Sequence, residues 1–124
     1  MNRVIKFRAW DPTLEKMRKV SLIEFIEKDI QVTVEMMPEA HGLYEMPIGH
    51  PVLMQFTGLL DKHGKEIYES DIINDGFGGT VFWDEHLAGF YIENSHASAL
   101  PMDHYKNIEV IGNRYQNPEL IKEP

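Results

Sequence analysis

The chain has 124 residues, 43% of them apolar, a mean hydropathy of -0.34 and a net charge of -8. That length suits one domain, or one small domain with an appendage, and buries about two-thirds of the surface its unfolded form exposes, so folding requires neither a disulfide nor a metal. It contains no cysteine, which excludes disulfides, thiolate zinc sites and a cysteine nucleophile and suits a reducing cytoplasm.

The first predicted element runs from Arg3 to Trp10. Ile5, Phe7 and Ala9 alternate with Val4, Lys6, Arg8 and Trp10, which is strand periodicity. Arg3, Lys6 and Arg8 interrupt the apolar run that a signal peptide needs, and no stretch reaches bilayer-spanning length, so the expected location is the cytoplasm. Asp11-Pro12-Thr13 is a turn, and Lys16 to Val20 returns as the second strand of a hairpin. Ser21-Leu22-Ile23-Glu24 fits a capping box, and Leu22, Phe25, Ile26 and Ile30 keep helical spacing. This predicts a short helix, with a strand as the alternative that its β-branched residues allow. Gln31 to Met36 alternates as a half-buried strand, with Val32, Val34 and Met36 on one face and Gln31, Thr33 and Glu35 on the other. Pro38, Gly42, Pro47, Gly49 and Pro51 make residues 38–51 a loop or linker, and a boundary is expected near residue 50.

Val52 to Thr57 reads as a strand and Asp61-Lys62-His63-Gly64 as a turn. Glu66 to Ser70 is a helical turn or a tight bend. Strands follow at Asp71 to Ile73, Thr80 to Trp83 and Gly89 to Glu93, with Val81 and Trp83 on one face and Phe90 and Ile92 inward. Asp75 to Gly79 and Asp84 to Ala88 are their connections. Residues 94–105 are irregular. Ile108 to Gln116 is the last strand, with a bulge or bend at Gly112, and Asn117-Pro118 opens a terminal turn. Short strands on tight turns predict a small closed barrel after residue 50, filled in part by Trp83 and Phe90.

Charge is unevenly placed. Residues 1–20 carry six Lys/Arg against Asp11 and Glu15, or +4, and the rest carries -12. The acidic body repels phosphate backbones at long range. The basic hairpin, with Arg3, Lys6, Arg8, Trp10, Arg18 and Lys19, is the patch best suited to a partner. The acidic body of its own chain or of a second subunit is the expected match; base stacking with phosphate contacts is an alternative.

Asp61, His63, Glu66, Glu69, Asp71 and Asp75 cluster in sequence. A carboxylate–histidine set can do acid–base or metal chemistry, and a small metal-dependent hydrolase using Asp61, His63 and Asp71 is one reading. Ordinary turn chemistry explains the same residues more simply. Calcium ligation lacks an EF-hand pattern, and His41, His50, His63, His86, His96 and His104 show no His-x-x-x-His pair. No metal site, cofactor or catalytic residue is therefore assigned. Gly76-Phe77-Gly78-Gly79 lacks the Lys-Ser/Thr of a phosphate loop, and no Gly-x-Ser-x-Gly elbow is present.

Three segments together carry a resemblance. They are Phe7-Arg8-Ala9-Trp10-Asp11; then Met54-Gln55-Phe56-Thr57-Gly58-Leu59 with Asp61, Gly64-Lys65-Glu66-Ile67-Tyr68-Glu69 and Asp71-Ile72; and Val110-Ile111-Gly112-Asn113 with Asn117-Pro118-Glu119-Leu120. On these the chain resembles the YopX-like family of uncharacterised bacteriophage and prophage proteins. Gly58, Asp61, Gly64, Tyr68 and Asp71 are motif residues expected to serve structure. Ser70 stands where the family pattern has glycine, so a positive φ is not assumed there. The resemblance implies an α+β fold, mostly β: an N-terminal hairpin-containing α+β portion at 1–50 and an SH3-like β-barrel at 51–124. It implies no activity or cofactor. The expected function is a non-enzymatic protein-interaction or self-assembly module.

Overall fold

The computed structural model describes residues 4–26, 29–35, 43–46, 52–94, 100–101 and 107–121. The chain forms two compact units, Ile5–Gln55 and Phe56–Pro124, the latter joined by Met1–Val4. The division falls inside one strand.

In the Ile5–Gln55 unit, β1 (Phe7–Asp11) pairs antiparallel with β2 (Lys16–Ile26) and with the start of β5 (Val52–Leu60). Strand β2 pairs onward with β3 (Asp29–Glu35), and β3 with β4 (Leu43–Met46), so the order is β4-β3-β2-β1-β5. The expected helix after Ser21 is absent: β2 runs straight through it. A bulge accounts for the misleading spacing. Val20 pairs with Val34 and Leu22 with Thr33, so β2 advances two residues against one on β3 and Ser21 is the extra residue. A bulge shifts the alternation by one. Val20, Ile23 and Phe25 then share a face, and the three-residue step from Val20 to Ile23 imitates a helical period. A ten-residue helix is marginal alone, whereas here the same residues gain ladder partners on β3 from Thr33 to Asp29.

Register sets Val32 opposite Ile23 and Ile30 opposite Phe25, and continues from β3 to β4 with Tyr44 opposite Val34 and Met46 opposite Val32. Met36 and most of the 38–51 loop lie outside the described residues.

In the second unit, the end of β5 pairs with β6 (Glu66–Tyr68) around an irregularity between Phe56 and Leu60, where Gly58 has φ +90. Five further strands form an antiparallel sheet in the order β10-β9-β8-β7-β11. They are β7 (Asp71–Ile73), β8 (Thr80–Asp84), β9 (Gly89–Glu93), β10 (Leu100–Pro101) and β11 (Val110–Asn113). Glu66 to Ser70 is thus a short strand and a turn. The last strand is shorter than expected, with its irregularity between Val110 and Gly112. A 3-10 turn at Pro118–Leu120 begins at the proline. The core is Ile67, Ile73, Val81, Ile92 and Val110, with Phe90 and Ile108 packed against it.

The fold class therefore needs correction. The protein is essentially all-β, not α+β, and the C-terminal strands form an open antiparallel sheet instead of a closed SH3-like barrel. Strands β10 and β11 end the order at its two edges without pairing to each other. Nor does Trp83 fill an interior: it is 43% exposed and meets Phe90 edge-on, ring centroids 5.1 Å apart.

Candidate functional site

Register divides the side chains of the basic hairpin between two faces. Register sets Arg8 opposite Lys19 and Trp10 opposite Met17, on one face. It sets Ala9 opposite Arg18 and Asp11 opposite Lys16, on the other. Arg18 is buried there, and its Nη2 donates to the buried Asp11 carboxylate at 3.4 Å. Asp11 Oδ1 also accepts the backbone N–H groups of Thr13 and Leu14, closing the turn. Trp10 is only 9% exposed, and a base-stacking platform must offer its ring face. Lys6 and Arg8 are half-buried, Lys19 is exposed, and Arg3 lies outside the described residues. Sequence reasoning missed Asp11 as counter-ion to Arg18; the signal was a carboxylate at the end of β1 facing a basic return strand.

The carboxylates of the central stretch hold backbone. Asp61 is buried at the end of β5. Its Oδ1 accepts the N–H groups of His63 and Lys65 at 2.8 and 2.9 Å, and Oδ2 accepts that of Val110 at 3.0 Å. One side chain thus closes the turn and ties it to β11, and Gly64 at φ +81 supplies the left-handed residue the turn needs. Burial pushes the Asp61 carboxyl up, but the Val110, Lys65 and His63 donors outweigh it and hold it below its ordinary range. The His63 ring points elsewhere: its Nε2 meets Glu109 Oε2 at 2.7 Å. That contact, with Lys62 at 3.6 Å, lowers the Glu109 carboxyl. Asp71, buried, accepts Tyr68 N–H at 2.8 Å. The Tyr68 hydroxyl donates to Glu66, and its ring packs tilted against Phe56. Asp61, His63 and Asp71 are thus engaged separately. Among the described residues no group of three His, Asp or Glu could hold a metal ion.

Asp75 plays the turn role expected of it, and Asn113 is a further anchor the sequence reading did not assign. Asp75 accepts Phe77 and Gly79 N–H through Oδ1 and the Asn94 amide through Oδ2, organising the glycine-rich connection. Asn113 Oδ1 accepts Tyr115 and Gln116 N–H, while the Asn117 amide oxygen accepts Asn113 N–H. Gly112 makes room for this, since a Cβ there would stand 2.5 Å from Asn117 Oδ1. The available signal was an Asx residue two positions before a backbone donor in a turn.

The sequence profile of the YopX protein family matches residues 6–122. The chain belongs to the YopX family. Among solved structures it is similar to the crystal structure of protein EF1440 from Enterococcus faecalis, with a TM-score of 0.67 and 24% identity over 98% of this chain and 100% of that one. That likeness concerns the fold alone. No curated protein matches.

Against the YopX pattern, Ser70 turns out to hold the glycine conformation. Its φ is +72, which corrects the expectation that no positive φ need be assumed. The surroundings enforce it: Ser70 N–H donates to Val81 O at 2.7 Å and Ser70 O accepts Arg114 N–H at 2.9 Å. A non-glycine residue there carries about 1–2 kcal/mol of strain. Ser70→Gly is therefore expected to stabilise the protein by about 1 kcal/mol, less the added chain entropy of glycine. A urea midpoint that stays level or falls would contradict this.

Proposed function

We propose that the chain is a non-enzymatic protein-interaction or self-assembly module of phage or prophage origin, working in the cytoplasm of the bacterial host. The observation that carries this is Phe25, 82% exposed on a regular strand. Burying a phenylalanine is worth about 1.5–3 kcal/mol, so leaving one on a paired strand suits a contact made outside the fold. The polar residues of the family motifs support the non-enzymatic part, because Asp61, Asp71 and Asn113 bond to backbone groups. The contact surface this reading favours is the end of β2 around Phe25.

Cross-linking of the full chain inside the lysogenic or infected host, followed by mass spectrometry, tests this. Cross-links joining it to protein, either another copy or a different chain, are expected. Intrachain links alone overturn the reading. So does tight oligonucleotide binding at low salt, where the electrostatic attraction to phosphate is strongest.

A further inference from the structure

We infer that the tip of the β8–β9 hairpin, around Trp83 and Leu87, is a docking surface for a cationic, Arg- or Lys-bearing segment of a partner protein; this rests on the interaction reading above and adds a second surface to it. The first observation is where the hairpin runs past the core. Val81 pairs with Ile92 and Trp83 with Phe90, so all four share one face. Val81 and Ile92 are buried, but Trp83, one pair further out, is 43% exposed. Phe90 meets it at an interplanar angle of 71°, a contact that covers only part of the indole. Leu87, in the turn, is 54% exposed. The turn is set before any partner arrives: Asp84 Oδ1 accepts the N–H groups of His86 and Leu87 at 2.9 and 3.0 Å, and Ala88 holds a φ of +50. A preformed tip costs little to order on binding. Strand β8 lies between β7 and β9, and β9 between β8 and β10, so a partner meets side chains here and not an open strand edge.

Charge selects the occupant. From Glu66 to Tyr105 the sequence holds eight Asp/Glu and no Lys or Arg. Asp84 and Glu85 follow Trp83 directly and Glu93 ends β9. Glu85 and Glu93 are exposed, and among the described residues no Lys or Arg pairs with any of the three. An exposed indole beside carboxylates suits a guanidinium or ammonium group, drawn to the ring by its π face and to the carboxylates by charge. The same carboxylates repel the phosphates of nucleic acid and of anionic lipid. A second copy is a poor source of the cation: its hairpin sets Arg8 and Lys19 on one face and Arg18 on the other, buried against Asp11.

Selection of displayed peptides of random sequence on the full chain is the test, followed by fluorescence anisotropy of the enriched peptides in labelled synthetic form. The enriched sequences are expected to carry a net positive charge from Arg or Lys, and their binding to weaken as salt rises. Trp83→Ala should weaken them about thirtyfold or more, the loss typical of an aromatic anchor. Glu85→Lys should weaken them several-fold, mainly through a slower association rate. Far-UV circular dichroism of each variant controls for folding. If Trp83→Ala fails to fold, Glu85→Lys and Leu87→Ser, both at exposed turn positions, decide in its place. No enrichment, enriched peptides that are neutral or acidic, or binding that the folded variants leave unchanged overturns the surface. So does self-association of the wild type that Glu85→Lys abolishes, since the occupant is then a second copy. In-cell cross-links to protein through the end of β2 would in each case still uphold the broader interaction reading.

Discussion

Replacing Arg18 by alanine should destabilise the protein by about 3–5 kcal/mol, the cost of leaving a buried charge without its partner. The abandoned group is the Asp11 carboxylate, 1% exposed. Asp11→Ala should cost at least as much, because it also frees the N–H groups of Thr13 and Leu14 in the turn. Asp11→Asn retains an acceptor for those two donors and should fall between Ala and wild type. Replacing both partners by apolar residues of similar volume should recover most of the loss, since a buried ion pair is often no better than well-packed hydrophobic side chains. Urea denaturation of the two single variants and the double variant gives the coupling energy directly. A loss below about 0.5 kcal/mol for Arg18→Ala would mean the pair is not buried in solution. The same variant separates roles: were Arg18 a phosphate contact, its loss would weaken oligonucleotide binding and leave stability alone.

Asp61→Ala is the second large effect. It leaves three backbone N–H groups, those of His63, Lys65 and Val110, without their acceptor. Each buried orphan costs about 1–3 kcal/mol, and water reaches the exposed turn at His63 and Lys65 more readily than Val110. A total of about 3–4 kcal/mol is expected, with Asp61→Asn milder because its single carbonyl oxygen can still serve part of the set. A thermal shift of a degree or less for Asp61→Ala would refute the clamp. The pH dependence has a definite sign. Asp61 and Glu109 both lie below their ordinary values in the folded protein. The unfolded chain therefore takes up their protons first as pH falls. The stability they contribute is complete above about pH 5 and is lost progressively through the range around pH 4 and below. Melting temperatures measured from pH 7 down to 3 should fall, and less steeply for Asp61→Asn. An unchanged slope would assign the acid sensitivity to other carboxylates.

Much of the strand pattern was legible because period-two alternation and turn residues are local. Gly89 to Glu93, the Asp61 to Gly64 turn, the irregularity at Gly112 and the start of the terminal turn at Pro118 follow from residues within a few positions of one another. The stretch after Ser21 misled because a bulge is a property of two strands. Only pairing with β3 makes Ser21 the extra residue, and without that partner a shifted alternation and a helical period look alike. The closed barrel was inferred from strand count and family resemblance, but closure depends on whether the first and last strands meet. Here β10 and β11 do not.

By itself, the sequence determined the family, the β-rich second unit, the lack of any thiol chemistry and the charge split between residues 1–20 and the rest. Each of these is carried by composition or by motifs contiguous in the chain. Tertiary structure alone decided which charges remain at the surface. Arg18 and Lys19 are adjacent in sequence, yet cross-strand register buries one against Asp11 and leaves the other in solvent. It decided that Asp61 holds Val110, 49 positions away, and that Ser70 adopts a glycine-like backbone. It also left Phe25, on a strand paired with β3, 82% exposed. These outcomes turn on which strand pairs with which and in what register, and register is set by contacts between residues far apart in the chain.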